Sequence, residues 1–130
     1  MKKEIGLWID HSKAIIVTLV AEGQEVEEIV SNMERRVRFA SGNSEDGSAE
    51  DVRDRQYSNH LNIFYSTVIG LIRDGTSIQI FGPGEAKGEL QKRLQKDGLG
   101  ANIFCVEPAD KMTVRQISAK VRASFRNHSP

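Results

Sequence analysis

Short apolar runs separated by polar turns characterise the start of the chain. Residues 5–9 are apolar except for one glycine, and residues 14–20 form a second run that is rich in β-branched side chains. The polar segment 10–13 between them is typical of a tight turn, so the two runs predict a β-hairpin. Acids interrupt the next apolar positions, which predicts a third, more exposed strand over residues 25–31, with a short basic extension over 35–39.

The hydrophobic period changes from two to 3.6 residues at Asp54. The apolar stripe that follows consists of Tyr57, Leu61, Phe64, Val68, Leu71 and Ile72. Steps of three and four residues place these side chains on one side of an amphipathic helix. Gly75 suits the left-handed conformation that ends many helices. The sequence therefore predicts a helix from Asp54 to about Asp74 with its apolar side inward.

Two further strand–helix units follow. Residues 77–81 and 101–106 are short apolar runs typical of buried strands. The first is followed by a helical pattern over residues 85–95. The second is followed by a helix that starts near Thr113, because the spacing from Thr113 to Gln116 is that of a capping box.

Three strands followed by alternating helices and strands predict an α/β fold. Strands joined through a helix add in parallel by right-handed crossovers, whereas the opening hairpin is antiparallel. We therefore expect a five-stranded mixed sheet, with three antiparallel strands first and two parallel additions, and three helices on its faces, as in ribonuclease-H-like folds. Residues 1–130 are expected to form this single domain, and the polar residues 40–53 to form a mobile loop within it.

The charge balance of the chain excludes a bulk attraction to polyanions. Lys plus Arg and Asp plus Glu number 18 each among 130 residues, so the formal net charge is zero. No apolar stretch approaches the ~20 residues that a membrane span needs, and no secretory core follows the basic start of the chain. We therefore expect a cytoplasmic protein without a membrane segment, which needs a local basic patch for any contact with nucleic acid.

Metal and redox sites are not predicted. The single cysteine, Cys105, allows no internal disulfide and is expected to be a small buried hydrophobe. His11 and His60 show no ligand spacing. Asp10 ends the first predicted strand, where ribonuclease-H-like nucleases place a metal carboxylate, but a pair of magnesium ions needs several convergent carboxylates. We predict no metal and no cofactor, and expect Asp10 to cap the hairpin turn. A divalent-metal nuclease that uses Asp10 is kept as a less favoured alternative.

The glycine-rich turn after the fourth predicted strand is the sharpest local feature. Gly82 and Gly84 flank a proline, and Lys87 follows one helical turn later. Backbone N–H groups and a helix dipole at such a turn face an anion, although Glu85 competes with one. The turn therefore predicts either an anion or phosphate site made by Gly82, Gly84 and Lys87, or a purely structural turn.

Two basic clusters predict a nucleic-acid contact. The stems of the polar loop and the last helix carry the candidate RNA-binding residues Arg35, Arg36, Arg38, Arg53, Arg55, Lys111, Arg115 and Arg122. Folded together, they would form a phosphate-binding face despite the zero net charge. Trp8 lies in an apolar strand and is expected in the core.

The run from Ile78 through the glycine turn to Lys87, together with the opening hairpin, resembles the central domain of archaeal and eukaryotic peptide-chain release factors and of Pelota. In those proteins a strand ends in a similar glycine–proline–glycine turn, followed by a lysine and a helix. The chain looks like a stand-alone bacterial relative of that domain. The resemblance implies a ribonuclease-H-like fold and a role in translation.

The chain departs from release factors in the loop before the long helix. There, release factors carry the Gly-Gly-Gln motif that promotes hydrolysis of peptidyl-tRNA, and this sequence contains no such motif. We therefore expect a non-catalytic translation-associated module that contacts tRNA, ribosomal RNA or a ribosome-associated protein. The alternative is a phosphate- or nucleotide-binding domain centred on residues 82–87. Self-association through an exposed hairpin edge also stays open.

Overall fold

The computed structural model describes residues 3–31 and 49–128, including the side chains of residues 3–31 and 60–126. The elements in chain order are β1 (Glu4–Ile9), β2 (Lys13–Val20), β3 (Gly23–Val30), α1 (Ala49–Ile72), β4 (Ser77–Gly82), α2 (Ala86–Lys96), a 3₁₀ turn (Gly100–Asn102), β5 (Ile103–Pro108) and α3 (Val114–His128). None of the helices in the described ranges is long and apolar enough to cross a membrane.

The five strands form one mixed sheet in the order β3-β2-β1-β4-β5. β1 pairs antiparallel with β2, and β2 antiparallel with β3. β1 pairs parallel with β4, and β4 parallel with β5, with one register irregularity between Ile78 and Gln79. The predicted five-stranded mixed sheet with three helices is therefore confirmed.

The sheet separates two hydrophobic clusters. The larger lies between the sheet and helices α1 and α2, and includes Ile5, Leu7, Ile9, Phe64, Val68, Ile80 and Leu90. The smaller lies under α3 and includes Trp8, Ile15, Val17, Phe81, Ile117, Val121 and Phe125. Successive side chains of a strand point to opposite faces, so β1 supplies residues to both clusters. Trp8 is buried, as expected from its strand.

Gly6 allows α3 to pack closely on the sheet. A Cβ atom on Gly6 would lie 2.4 Å from a methyl group of Val121, well inside van der Waals contact. The glycine that interrupts the first apolar run is thus the point at which the helix approaches the strand.

Several boundaries differ from the sequence-based prediction. Helix α1 begins at Ala49 rather than Asp54, so residues 49–53 of the predicted loop 40–53 are helical. Residues 40–48 of that loop, and the predicted basic extension 35–39, lie outside the described residues. The early start is invisible to periodicity because Ala49 and Val52 are the only apolar residues among the first six of α1, too few to show a helical repeat.

Candidate functional site

The carboxyl ends of the parallel strands β1, β4 and β5 meet at one edge of the sheet. The Ala109 N–H donates to the Gly82 carbonyl at 3.0 Å, which joins the segments that follow β5 and β4. The Trp8 indole Nε1–H donates to the Asp110 carbonyl at 3.0 Å. In open α/β sheets, ligands bind at this edge.

Asp10, immediately after β1, acts as a turn residue. Its Oδ1 accepts from the backbone N–H groups of Ser12 and Lys13, each at 2.8 Å, and from the Ser12 hydroxyl at 2.9 Å. A side chain that satisfies its own turn in this way fixes the β1–β2 hairpin. The residues that the structure describes contain no group of three or more His, Cys, Asp or Glu side chains able to hold a metal ion.

The glycine turn after β4 has a backbone that only glycine adopts readily. Gly82 has a φ of 152°, and a Cβ there would lie 2.2 Å from the Ile9 carbonyl oxygen. Gly84 has a φ of 66°, in the left-handed region. The Lys87 ammonium group folds back to donate to the Gly84 carbonyl. The structure therefore brings Gly84 and Lys87 together, beside a groove of about 420 Å³ that Lys92 also lines.

A cluster that the sequence did not reveal joins three elements at this edge. His11 Nε2 lies 3.0 Å from Glu89 Oε1, and the Tyr65 hydroxyl donates to the same oxygen. The His11 and Glu89 side chains are 38% and 39% exposed. Glu89 on α2 thus connects the β1–β2 turn to α1. The only sequence signal was an acid placed within an otherwise basic helix.

Helix α2 also carries cations that sequence reasoning left out. Lys92, Arg93 and Lys96 line a groove of about 320 Å³ between α1 and α2, floored by Leu61 and Tyr65. The Arg93 guanidinium donates to the Ser66 hydroxyl at 2.8 Å and to the Asn62 side-chain carbonyl at 3.3 Å. Its partners among the described residues are therefore neutral.

The predicted RNA-binding residues fall on different parts of the molecule. Lys111, Arg115 and Arg122 are exposed at or before α3, and the Arg122 guanidinium donates to the Gln24 side chain. Arg53 and Arg55 belong to α1, a helix that packs on the opposite face of the sheet. Arg35, Arg36 and Arg38 lie outside the described residues. The helix that carries Arg53 and Arg55 thus lies on the opposite face of the sheet from α3.

A polar network around the buried Gln79 lies beneath α3. Gln79 is 1% exposed, and its Nε2 donates to Ser124 Oγ at 2.9 Å and to Glu107 Oε1 at 3.2 Å. Lys120 forms an ion pair with Glu107 at 2.9 Å. Burial, and secondarily the Glu107 carboxylate, raise the pKa of the Cys105 thiol. A raised thiol pKa disfavours the thiolate. Cys105 is half-buried rather than buried as expected, because β5 is the last of the described strands on its side of the sheet.

Comparison with known proteins gives a likeness of fold. No family model matches the chain, and no curated protein matches it. Among solved structures, the Pelota protein of Thermoplasma acidophilum superposes with a TM-score of 0.59 at 14% identity over 97% of this chain and 32% of its own. Archaeoglobus fulgidus Pelota gives 0.53 at 16% identity, over 97% of this chain and 36% of its own.

An archaeal translation termination factor, aRF1, gives a TM-score of 0.52 at 12% identity over 97% of this chain and 39% of its own. The chain thus spans about a third of the length of these proteins. The resemblance to release factors and Pelota that the residues suggested is confirmed at the level of the fold.

Proposed function

We propose that this chain is a non-catalytic, translation-associated module that contacts tRNA or ribosomal RNA through the exposed side of α3. The observation that carries the proposal is the likeness of fold, over 97% of the chain, to Pelota and to a translation termination factor. A ribosome-associated protein is the other partner that this likeness favours.

The composition of α3 supports a contact with phosphates. The helix carries four cationic side chains, Arg115, Lys120, Arg122 and Arg126, and no acid. Its apolar side is buried against the sheet through Ile117, Val121 and Phe125. Arg115, Arg122 and Arg126 are exposed, whereas Lys120 pairs with Glu107.

The three arginines of α3 lie in one stripe. Arg115, Arg122 and Arg126 are separated by seven and four residues, and all three are exposed. These steps keep side chains on one side of a helix, about 10 Å and about 6 Å apart along its axis. Ala119 occupies the intervening position of the stripe, so a bulky ligand meets little steric hindrance there.

The engagement of the acidic side chains supports binding rather than catalysis. Asp10 is satisfied by its own turn, and Glu89 by His11 and Tyr65. Together with the lack of a Gly-Gly-Gln motif, this favours a module without hydrolytic activity.

RNA binding is tested by fluorescence anisotropy with labelled tRNA and ribosomal RNA fragments, at about 50 and 200 mM salt. The test variant combines Arg115→Gln, Arg122→Gln and Arg126→Gln. The matched control combines Lys92→Gln, Arg93→Gln and Lys96→Gln, which removes the same charge from α2 on the other face. We expect salt-sensitive binding whose salt slope falls by about 2 in the test variant only. Equal losses in both variants, or no binding at low salt, would contradict the proposal.

A second candidate function is phosphate binding at the turn formed by Gly82, Gly84 and Lys87. The observation that favours it is the placement of the Lys87 ammonium group against that turn. Titration with inorganic phosphate, followed by amide NMR, should then shift the signals of residues 84–88 in the wild type and not in Lys87→Met. Shifts that persist in Lys87→Met would remove this candidate.

A further inference from the structure

Among the residues that the structure describes, β3 is the last strand at one edge of the sheet and pairs only with β2. It pairs with β2 in an uninterrupted register from Lys13↔Val30 to Val20↔Gly23. All of its residues are exposed except Ile29, which is half-buried. Edge strands with unpaired backbone groups are templates for the addition of another strand.

The register shows which backbone groups point outward. Val20 and Gly23 close a two-residue turn, and the Ser31 N–H donates to the Ser12 carbonyl at 2.9 Å at the other end. Hydrogen-bonded and non-hydrogen-bonded pairs alternate along an antiparallel ladder. The backbone N–H and C=O groups directed away from β2 therefore belong to every second residue, namely Gln24, Val26, Glu28 and Val30.

The edge is acidic and its acids are not neutralised within the described part of the chain. Glu22, Glu25, Glu27 and Glu28 form no ion pair with any described residue, because the three ion pairs there lie elsewhere. On the α3 face, the Arg122 guanidinium donates to Gln24, and the Lys13 ammonium group lies over the Trp8 ring. On the other face, Lys3 lines the groove beside the strand and pairs with Asp74. A cationic ligand would therefore meet carboxylates that have no competing partner there.

A groove beside the edge provides room for the side chains of an added strand. It has a volume of about 820 Å³ and lies between the β2–β3 hairpin and the end of α1. Its lining includes Ile16, Thr18, Glu25, Glu27, Leu71 and Asp74. Glu25 and Glu27 share this face with Ile29, whereas Val26, which is 42% exposed, lies on the α3 face.

We propose that β3 binds a basic extended peptide of a partner protein as a sixth strand of the sheet. Main-chain hydrogen bonds to the outward groups provide affinity in such strand addition, and alternate side chains provide specificity. The peptide carries Lys or Arg opposite Glu25 and Glu27, and apolar side chains opposite Val26. This interaction uses the edge opposite β5 and does not depend on RNA binding by α3.

A second copy of the chain fits this edge poorly. Antiparallel pairing of two β3 strands would place Glu25, Glu27 and Glu28 among the same glutamates of the other copy. Like charges facing each other across strands are destabilising. The glutamates thus oppose self-association while they favour a cationic partner.

The probe is a fluorescein-labelled eight-residue peptide that alternates Lys and Val. We expect saturable binding in anisotropy titrations, and amide NMR shifts concentrated on residues 24–30. The same peptide N-methylated at every internal residue keeps all charges but cannot donate to β3. It should bind at least about tenfold more weakly.

The charge requirement is tested with Glu25→Gln/Glu27→Gln, which should weaken binding about three- to tenfold. The matched control is Glu85→Gln/Asp97→Asn, which removes two exposed carboxylates from the ends of α2 and should leave affinity unchanged. Both variants keep the size of the side chains, and circular dichroism verifies that they fold.

Three results would overturn the proposal. Equal binding of the N-methylated peptide would show that attraction is purely ionic. A peptide-free dimer in sedimentation, dissociated by the probe, would assign the edge to a second copy. Tighter binding when Arg35, Arg36 and Arg38 are changed to Ser would assign it to the basic run of the chain itself.

Discussion

At the scale of single residues, the ion pair between Lys3 and Asp74 fixes the start of the chain beside the end of α1. The Lys3 Nζ lies 2.6 Å from Asp74 Oδ2, and the Lys3 N–H donates to Thr76 Oγ1 at 2.8 Å. The hydrogen bond from Lys3 is the largest cause that lowers the pKa of Asp74 below its ordinary value of 3.8. Both side chains are substantially exposed, 39% and 62%, so solvent screens the pair and its effect on stability is small.

The Asp74 carboxylate should contribute stability only above acidic pH. Because its pKa is lower in the folded than in the unfolded chain, its contribution is present above pH ~4 and is lost as the pH falls through the folded pKa. We expect the difference in unfolding free energy between wild type and Asp74→Asn to shrink as the pH falls below about 4. Urea denaturation of both proteins from pH 2.5 to 7 measures this difference in unfolding free energy.

Lys3→Met provides the control for this pH dependence. In that background, Asp74→Asn should cause a much smaller pH-dependent change, because the group that lowers the Asp74 pKa most is gone. A pH-dependent difference of the same size with and without Lys3 would assign the effect to another group.

At the same scale, the candidate site shows the limits of sequence reasoning. The turn role of Asp10 and the burial of Trp8 were predictable because each follows from its immediate neighbours in the chain. The sharing of Glu89 by His11 and Tyr65 was not, since these contacts join residues 78 and 24 positions apart. No local pattern encodes which side chains of separate elements meet.

At the scale of elements, the packing of α3 on β1 depends on one complementary pair. Gly6 leaves the space that the Val121 side chain occupies. We expect Gly6→Ala to destabilise the protein by about 1–3 kcal/mol, because overpacking forces the helix away from the sheet. The measurement is the free energy of unfolding in urea.

A double-mutant cycle distinguishes overpacking from a change in strand propensity. Val121→Ala alone should cost about 1–3 kcal/mol, because it leaves a cavity. In that background, the cost of Gly6→Ala should fall towards zero or reverse. If the two unfolding free-energy costs were additive in the double variant, a steric clash between an alanine at position 6 and Val121 would be excluded.

The type of an element was predictable where the hydrophobic pattern of its residues was clear. Continuous apolar runs joined by a polar turn identified β1 and β2, and the period of 3.6 identified the apolar part of α1. The start of α1 was missed because the residues from Ala49 to Asp54 have no apolar stripe. The helix therefore begins before the segment that shows a helical hydrophobic period. The two basic sets were expected to form one face, but periodicity does not reveal that α1 and α3 cover opposite faces of the sheet.

At the scale of the whole molecule, one sheet holds two separate hydrophobic clusters. Trp8, the single tryptophan of the chain, lies in the cluster under α3 and is 1% exposed. Of the described helical residues, 24 belong to α1 and 11 to α2 on the other face, against 15 in α3. Fluorescence therefore reports on the α3 side of the sheet, whereas most of the helical circular dichroism comes from the opposite side.

We expect both probes to give the same urea midpoint, since β1 and β2 contribute to both clusters and cannot unfold on one side alone. The Trp8 emission should shift to the red in the same transition that removes the far-ultraviolet helical signal. An earlier fluorescence transition would show that α3 detaches before the rest of the domain unfolds.

The difference between β1 and β3 sets where this chain can change over evolutionary time. Every residue of β1 from Ile5 to Ile9 is buried, with one cluster or the other on each side, so almost any substitution there carries a folding cost. β3 is exposed along nearly its whole length, and its side chains can be exchanged at little cost. A lineage could therefore acquire, retune or abandon partners through β3 while the rest of the sheet remains as it is.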